Sequence, residues 1–421
     1  MVTNNRAVRL GCKVLSSRWI LFCVALILRL VVAGQLVSTN SERFYLDNEP
    51  SRIAWAMVSG HGFSSPWPNT PLQPTAQQPP LYPWLLASVF RVVGAYSKTS
   101  LWIVLALNSI FSALTAVMIV EVGGEHLGRL AGLVGGWLWC CWIYEIVVPD
   151  RVWESSLSAL LLLLGLWLLR KIAATDQSSP WIAFGVIAGL SALSNTTLLG
   201  IFVCFWLWLW MNRAKRNPLF IRRWVTSVAV CIVLLLPWTV RNYVTFGRLI
   251  PIRDNLGLEL WIGNHTGVTH LYNFRPDFPL YDPTEYNRLG EISFMESRGR
   301  IARDFIVQHP RQFAVLFSQR LIDFWIEPTN TLWWFVSSIA WLGLILSLWR
   351  SRLEALPEAL TLVVFPIIYY ITHTWSTYRN PIEPMMLLLC GYVVIQLFNT
   401  IGYWVGISPR QCLDNPGVSA K

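Results

Sequence analysis

The sequence predicts an all-α polytopic membrane protein, a bundle of about ten transmembrane helices with two long polar insertions at one membrane face. Composition, the length of the apolar runs and the placement of charge carry that prediction. Of 421 residues, 54% are hydrophobic and 13% charged, whereas an ordinary soluble domain holds about 25% charged residues. Apolar runs recur at the length a helix needs to cross a hydrocarbon layer roughly 30 Å thick. Lys and Arg concentrate in alternate connections: Arg6, Arg9, Lys13 and Arg18; Arg170-Lys171; Arg213, Lys215, Arg216, Arg222 and Arg223; Arg350 and Arg352. An excess of basic residues marks the cytosolic side. Both termini are therefore expected inside, and the connections near 38–98, 149–152, 241–330 and 372–383 outside. This placement also explains the net charge of +10. The basic residues serve as topology anchors, and no nucleic-acid partner is expected.

The expected spans are Trp19–Val37, Leu101–Val122, Leu127–Val148, Trp153–Leu169, Trp181–Ser194, Thr197–Trp210, Trp224–Val240, Leu332–Trp349, Leu356–Ile371 and Pro384–Ile401. The first follows several basic residues and lacks a small-residue cleavage site, so it reads as a retained anchor in a multi-pass protein of the cell inner membrane. Three regions are expected. Residues 1–240 form a transmembrane module with the first external loop (38–98), 241–330 a loop that roofs it, and 331–421 the last transmembrane helices and a cytosolic tail. Cys12, Cys23, Cys140, Cys141, Cys204, Cys231, Cys390 and Cys412 all fall in spans or cytosolic tails. The external loops thus hold neither a disulfide framework nor a Cys-based zinc site. No internal repeat or low-complexity tract is present.

The first external loop reads Tyr45-Leu46-Asp47-Asn48-Glu49-Pro50-Ser51-Arg52-Ile53-Ala54-Trp55, then Ser59-Gly60-His61-Gly62-Phe63. Pro50 suits a helix start, and Ile53, Ala54, Met57 and Val58 recur at helical spacing up to Gly60 and Gly62. A second short helix is expected after Pro79-Pro80, turning Leu81, Trp84, Leu85, Ser88, Val89 and Val92 to the lipid surface. The stretch from Pro66 to Pro80 is expected to be irregular. In the second large loop, Arg253-Asp254-Asn255 to Gly263-Asn264-His265 reads as a compact polar loop. Residues Tyr286 to Phe324 read as helical.

Acidic residues at a membrane surface beside a helix bundle suit chemistry on a lipid-carried substrate. A carboxylate takes the proton of an attacking hydroxyl, and cations stabilise a departing phosphate. Asp47 and Glu49 are the candidate bases. Two residues apart on a helix, they do not share a face, and either can instead cap the helix that follows. Glu154, after Pro149-Asp150-Arg151-Val152-Trp153, is the third candidate, again with capping as the plainer role. Arg241 and Arg379 lie at external span ends, where a planar guanidinium can fork onto phosphate oxygens or simply snorkel to the interface. Tyr378 and His373 stand beside Arg379. The chain has no P-loop, no His-Glu-x-x-His and no dinucleotide fingerprint. Its external His are scattered, so no His-based metal site is expected.

These landmarks together resemble the GT-C superfamily of integral-membrane glycosyltransferases, in particular the bacterial branch related to protein O-mannosyltransferases and the lipid A aminoarabinose transferase. The similar stretches are Glu49-Pro50-Ser51-Arg52-Ile53-Ala54 with Gly60-His61-Gly62-Phe63, Pro79-Pro80-Leu81-Tyr82-Pro83, Trp153-Glu154, Trp238-Thr239-Val240-Arg241-Asn242-Tyr243 with Phe246-Gly247, Gly263-Asn264, and Tyr378-Arg379-Asn380-Pro381-Ile382-Glu383-Pro384. The resemblance implies a polyprenyl-phosphate-linked sugar as donor and a lipid, glycan or protein as acceptor. It further implies inversion at the anomeric carbon at the extracytoplasmic face. It makes Glu49 or Asp47 the base, Glu154 the second acidic position, and Arg241 and Arg379 phosphate ligands. Where the family has an adjacent Asp-Glu pair this chain has Asp47-Asn48-Glu49, which leaves the choice of base open. No cofactor is required by the resemblance, and a divalent cation stays possible because family members differ in metal use. The competing class is a transporter or flippase of lipid-linked sugars, which would place ionisable residues along a path near mid-membrane.

Overall fold

The computed structural model describes residues 15–39, 46–64, 67–68, 70–175, 177–213, 219–268, 283–326 and 331–405. Arg6, Arg9, Cys12, Lys13, Tyr45, Pro66, Lys215, Arg216, Cys412 and the expected cytosolic tail lie outside them. The described chain is helical between its connections, and its one β-bridge joins Ser64 to Pro74. Helix α1 (Arg18–Thr39) comes first, and the next connection carries α2 (Glu49–Val58) and α3 (Leu81–Val93). Then follow α4 (Lys98–His126), α5 (Arg129–Cys141), α6 (Ile143–Val147), α7 (Ser155–Ala174), α8 (Ser179–Ser194), α9 (Thr197–Arg213) and α10 (Phe220–Phe246). The second large connection holds α11 (Leu256–Gly263), α12 (Pro283–Leu289), α13 (Glu291–Gln308) and α14 (Pro310–Trp325). After it come α15 (Thr331–Arg350), α16 (Leu356–Val364), α17 (Ile367–Ile371) and α18 (Glu383–Val405).

Every expected span falls on helix. Among the described residues, six helices are long and apolar enough to cross a membrane, namely 18–38, 98–126, 155–174, 220–246, 331–350 and 377–401. The protein is thus an integral membrane protein. The span expected at 127–148 is α5 and α6 bent by 59°, because Trp142 takes an extended backbone (ψ 113°) between them. The spans expected at 181–194, 197–210 and 356–371 are shorter apolar helices. At the centre, α4 packs against α1, α5 and α7, while α18 lies on α5 and α15. Backbones meet there: a Cβ on Gly132 would stand 2.8 Å from the Val120 carbonyl, the close approach small residues permit between membrane helices.

The connections sort to two ends. At one, Arg18 pairs with Glu121 at 2.5 Å, Lys171 with Glu125 at 2.6 Å and Arg170 with Glu358 at 2.6 Å. At the other end of the same helices, Asn108 Nδ2 donates to the Arg151 carbonyl at 2.9 Å and hydrogen-bonds the Tyr82 hydroxyl. The segments expected outside meet each other there. Helix α3 turns Trp84, Ser88 and Val92 outward and buries Tyr82, Leu86, Ala87 and Phe90, while Leu81, Leu85 and Val89, expected on the lipid face, are partly buried against the core. Residues 286–324 are helical but broken into three, at Gly290 and at His309-Pro310. The expected polar loop at 253–265 is instead built around helix α11. Leu258 and Trp261 are buried against Phe294, Met295 and Ala302 of α13, so packing overrides the turn-forming residues that flank the segment.

Candidate active site

Helix α2 begins with a division of labour among three consecutive residues. Asn48 is the N-cap, its side chain accepting from the Ser51 amide at 3.2 Å, a bond of the kind that stabilises a helix by about 1 kcal/mol. Asp47 pairs with Arg52 at 2.7 Å and is about one-third exposed. Glu49 therefore has no capping role, and its Oε2 accepts from Gln78 Nε2. The cap expected of Asp47 or Glu49 belongs to neither, because the asparagine between them holds the position whose side chain reaches the free amides.

Glu49 lies among side chains from the first and second large connections, the start of α7 and the 372–383 connection, which together form a candidate cleft. Its electrostatic neighbours are Glu259 and Arg253. Glu154, at the start of α7, lies beside Arg253 and Glu49 and accepts from Asn195 Nδ2 at 3.3 Å. It stands at the N-cap position but makes no capping bond. Arg253 donates to the Gln77 carbonyl at 3.1 Å and pairs with Glu259 at 3.2 Å, and Asn255 Nδ2 also donates to Glu259 at 2.5 Å. His373 stands 3.5 Å from the Glu259 carboxylate and is hydrogen-bonded to the Tyr378 hydroxyl at 2.9 Å. Tyr378 in turn stacks on Tyr369, ring centres 4.8 Å apart.

Burial pushes the Glu49 carboxyl up to about 7; Glu259 adds to the rise, while Gln78 and Arg253 oppose it. Burial likewise raises Glu154 to about 7. In His373 burial disfavours the charged ring and lowers its pKa. Carboxyls that titrate near neutrality inside a cleft are suited to proton transfer.

Two expected site residues lie elsewhere. Arg241 donates to the carbonyls of Thr75 (2.7 Å) and Phe63 (2.9 Å) and to Asn242 Oδ1 (2.9 Å). Its guanidinium sits 4.8 Å from the Trp238 ring centre. Neighbouring side chains hold backbone in the same way. Trp238 Nε1 donates to the Ile252 carbonyl at 2.7 Å, Thr239 Oγ1 to Pro251 at 2.9 Å and Asn242 Nδ2 to Ile250 at 3.0 Å. The Trp238-to-Asn242 stretch is thus an anchor for both large connections. Arg379 points into the bundle, 1% exposed. It pairs with Glu383, donates to Ser337 Oγ at 3.0 Å and lies 3.8 Å from the Trp333 ring centre. The cation the structure places in the cleft is Arg253. Glu49, Glu154, His373 and Tyr378 are brought together; Asp47, Arg241 and Arg379 are not part of that group.

Sequence reasoning passed over Gln78, Asn195, Arg253 and Glu259 as chemistry-bearing residues. Gln77-Gln78 ahead of two prolines was a usable signal, since an uncharged polar pair there has no topological use. Gly263-Asn264 proves structural: Asn264 Nδ2 donates to the Ile371 carbonyl at 2.9 Å, and Arg320 binds the carbonyls of Gly263, Tyr370 and Ile371. Beyond this joint, a groove of about 550 Å³ is lined by Leu321, Trp325, Ser337, Trp341, Leu362 and Tyr370. Tyr369 stacks on Tyr378, and the next residue of α17, Tyr370, lines the groove. Among the described residues no three His, Cys, Asp or Glu side chains converge as a metal site. Glu49 and Glu154 are each engaged by an amide, and Glu259 by Arg253 and Asn255.

A family model described as dolichyl-phosphate-mannose-protein mannosyltransferase matches residues 77–240. That stretch includes Gln78, Glu154 and Asn195 but neither Glu49 nor Arg253. A search of curated proteins finds no match. Among solved structures, the oligosaccharyltransferase of Archaeoglobus fulgidus tethered with an acceptor peptide aligns with a TM-score of 0.59 at 12% identity, over 96% of this chain and 52% of that one. The same organism's oligosaccharyltransferase AglB, in complex with an inhibitory peptide and a dolichol-phosphate, aligns with a TM-score of 0.59 at 10% identity, over 97% and 52%. ArnT from Cupriavidus metallidurans, bound to undecaprenyl phosphate, aligns with a TM-score of 0.51 at 14% identity, over 92% and 62%. The fold is shared with these enzymes of the membrane. The chain spans between half and two thirds of the length of the solved structures it matches.

Proposed function

We propose that the protein is an inverting glycosyltransferase that moves a sugar from a polyprenyl phosphate to an acceptor hydroxyl at the extracytoplasmic membrane face. The observation that carries this reading is Glu49: a carboxyl with one oxygen fixed by Gln78, titrating near 7, in a cleft whose cation is Arg253. In the reaction the acceptor oxygen attacks the anomeric carbon as Glu49 Oε1 takes its proton. The bond from that carbon to the phosphate oxygen breaks, and the phosphate leaves with the electron pair toward Arg253. A base whose pKa lies near the operating pH is both ionised and basic enough to act. Glu154 keeps the opposite wall acidic, and His373, neutral, holds the Tyr378 hydroxyl. The groove behind Tyr370 suits the prenyl chain, being apolar apart from Ser337, Ser338 and the Tyr370 hydroxyl. The dolichol-phosphate and undecaprenyl phosphate named for the matching structures support a donor of this class. The basic residues at the opposite end of the bundle support an external cleft.

The transport reading would draw on the ionisable groups inside the bundle. Arg29, Glu145, Arg379 and Glu383 are each 1% exposed or less. Arg29 donates to Ser112 Oγ at 2.7 Å and to the Trp139 carbonyl at 3.1 Å, and Glu145 accepts from Asn380 at 2.8 Å. Arg379 pairs with Glu383, so these groups are engaged in contacts inside the bundle, which favours transfer over transport. The test is transfer of labelled sugar from a panel of undecaprenyl-phosphate-linked donors in membranes. Glu49→Gln is expected to lose roughly 100-fold or more, the contribution of a general base, while Asp47→Asn loses only its exposed ion pair, about 1 kcal/mol. Full transfer by Glu49→Gln at unchanged expression would overturn the assignment.

A further inference from the structure

The segment that presents Gln78 to Glu49 is fixed by the second large connection at residue after residue. Thr75 Oγ1 donates to Glu291 Oε2 at 2.5 Å, and the Ala76 amide donates to Glu291 Oε1 at 2.5 Å. The Ala76 carbonyl accepts from the Asp254 amide at 3.2 Å, and the Gln77 carbonyl from Arg253. Glu291 is 5% exposed and also accepts from the Tyr286 hydroxyl at 2.9 Å. Against it lies Asp254. Both Asp254 carboxyl oxygens are shut off from water, and neither meets a donor; the group they face is the Glu291 carboxylate.

Two carboxylates in contact out of water do not both ionise, and a shared proton turns their repulsion into a hydrogen bond. The charged groups nearby do not remove this need. Arg241 faces Glu291 and Arg253 lies beside Asp254. Yet Arg241 donates to Thr75, Phe63 and Asn242, and Arg253 to Gln77 and Glu259. Tyr286, the remaining titratable neighbour, gives its proton to Glu291 as a hydrogen bond and leaves Asp254 untouched.

We propose that Asp254 and Glu291 share one proton and act as positioning residues, locking the first external loop to the second so that Gln78 stays on Glu49, and that loss of the proton opens the lock. Burial and the facing Glu291 push Asp254 up to about 8, which keeps the lock closed at neutral pH and opens it above. The lock stands on contacts between the two loops. Only its consequence for Glu49 rests on the transferase reading.

The experiment is hydrogen exchange on the full chain in lipid nanodiscs, reading the amides of Thr75 to Gln78 after correction for the intrinsic pH dependence of exchange. In the wild type, protection is expected to fall by about tenfold per pH unit above about 8. Asp254→Asn, whose amide donates to Glu291 without titrating, is expected to stay protected across the whole range. In parallel, infrared difference spectra should show a protonated-carboxyl band that disappears on raising the pH and is absent from Asp254→Asn. Flat wild-type protection, or an Asp254→Asn profile that tracks the wild type, overturns the lock. A working lock in a chain that transfers no sugar would overturn the transferase reading alone.

Discussion

Asp47 and Glu49 show how little separates a surface ion pair from a candidate base. Both are carboxylates in one short stretch, and a helix puts positions two apart on different faces. Asn48 takes the cap, Asp47 turns to Arg52, and Glu49 turns inward to Gln78. Burial is what raises the Glu49 carboxyl. A base must be ionised, so with Glu49 at about 7 the transfer rate is expected to rise as pH rises toward 7 and then level off. Below 7 it should fall about tenfold per pH unit. A rate independent of pH between about 5 and 7 would exclude Glu49 as the titrating base. Arg253 should act on the donor, so Arg253→Ala is expected to raise the donor KM more than it lowers kcat, measured with the same labelled lipids.

At the scale of elements, the outer end of α10 and the short helix α11 build the site. Helix α10 sends three donors to the backbone at 250–252 and Arg241 to the backbone at 63 and 75, so one helix end fixes both loops. Helix α11 presents Glu259 to the cleft only because it is pressed flat against α13. A Cβ on Gly257 would stand 2.0 Å from the Met295 carbonyl and 3.1 Å from the Gly299 amide nitrogen. Gly257→Ala must therefore tilt α11. The expected cost is about 1–3 kcal/mol, seen as a lowered Tm in nanodiscs, with transfer reduced as Glu259 and Arg253 shift; an unchanged Tm would show that the helix is not held there. The sequence reads this segment as a loop because Arg253-Asp254-Asn255 and Gly263-Asn264-His265 are turn residues, and a helix of eight residues, Leu256–Gly263, is too short to display a helical period.

For the whole molecule, the alternation of basic and plain connections predicts which segments meet, and they do: Arg18, Lys171 and Arg170 pair at one end of the bundle, and residues near 49, 154, 259 and 373 meet at the other. Which end faces outward is open to direct labelling. In a cysteine-free background, Ser59→Cys and Arg311→Cys are expected to react with an impermeant maleimide added to intact cells, and Arg352→Cys only after permeabilisation. The reverse pattern would invert the topology and move the cleft to the cytosol.

The sequence by itself determined the helical bundle, the alternation of its connections and the acidic first loop. Each of these is written locally, in run length, charge placement and a few adjacent residues. Only the tertiary structure decided that Glu49 rather than Asp47 enters the cleft, that Arg253 rather than Arg241 or Arg379 is its cation, and that Asp254 meets Glu291. Those outcomes depend on contacts between residues far apart in the chain, such as Gln78 with Glu49 and Thr75 with Glu291. Burial then sets each charge state, and no local pattern encodes burial.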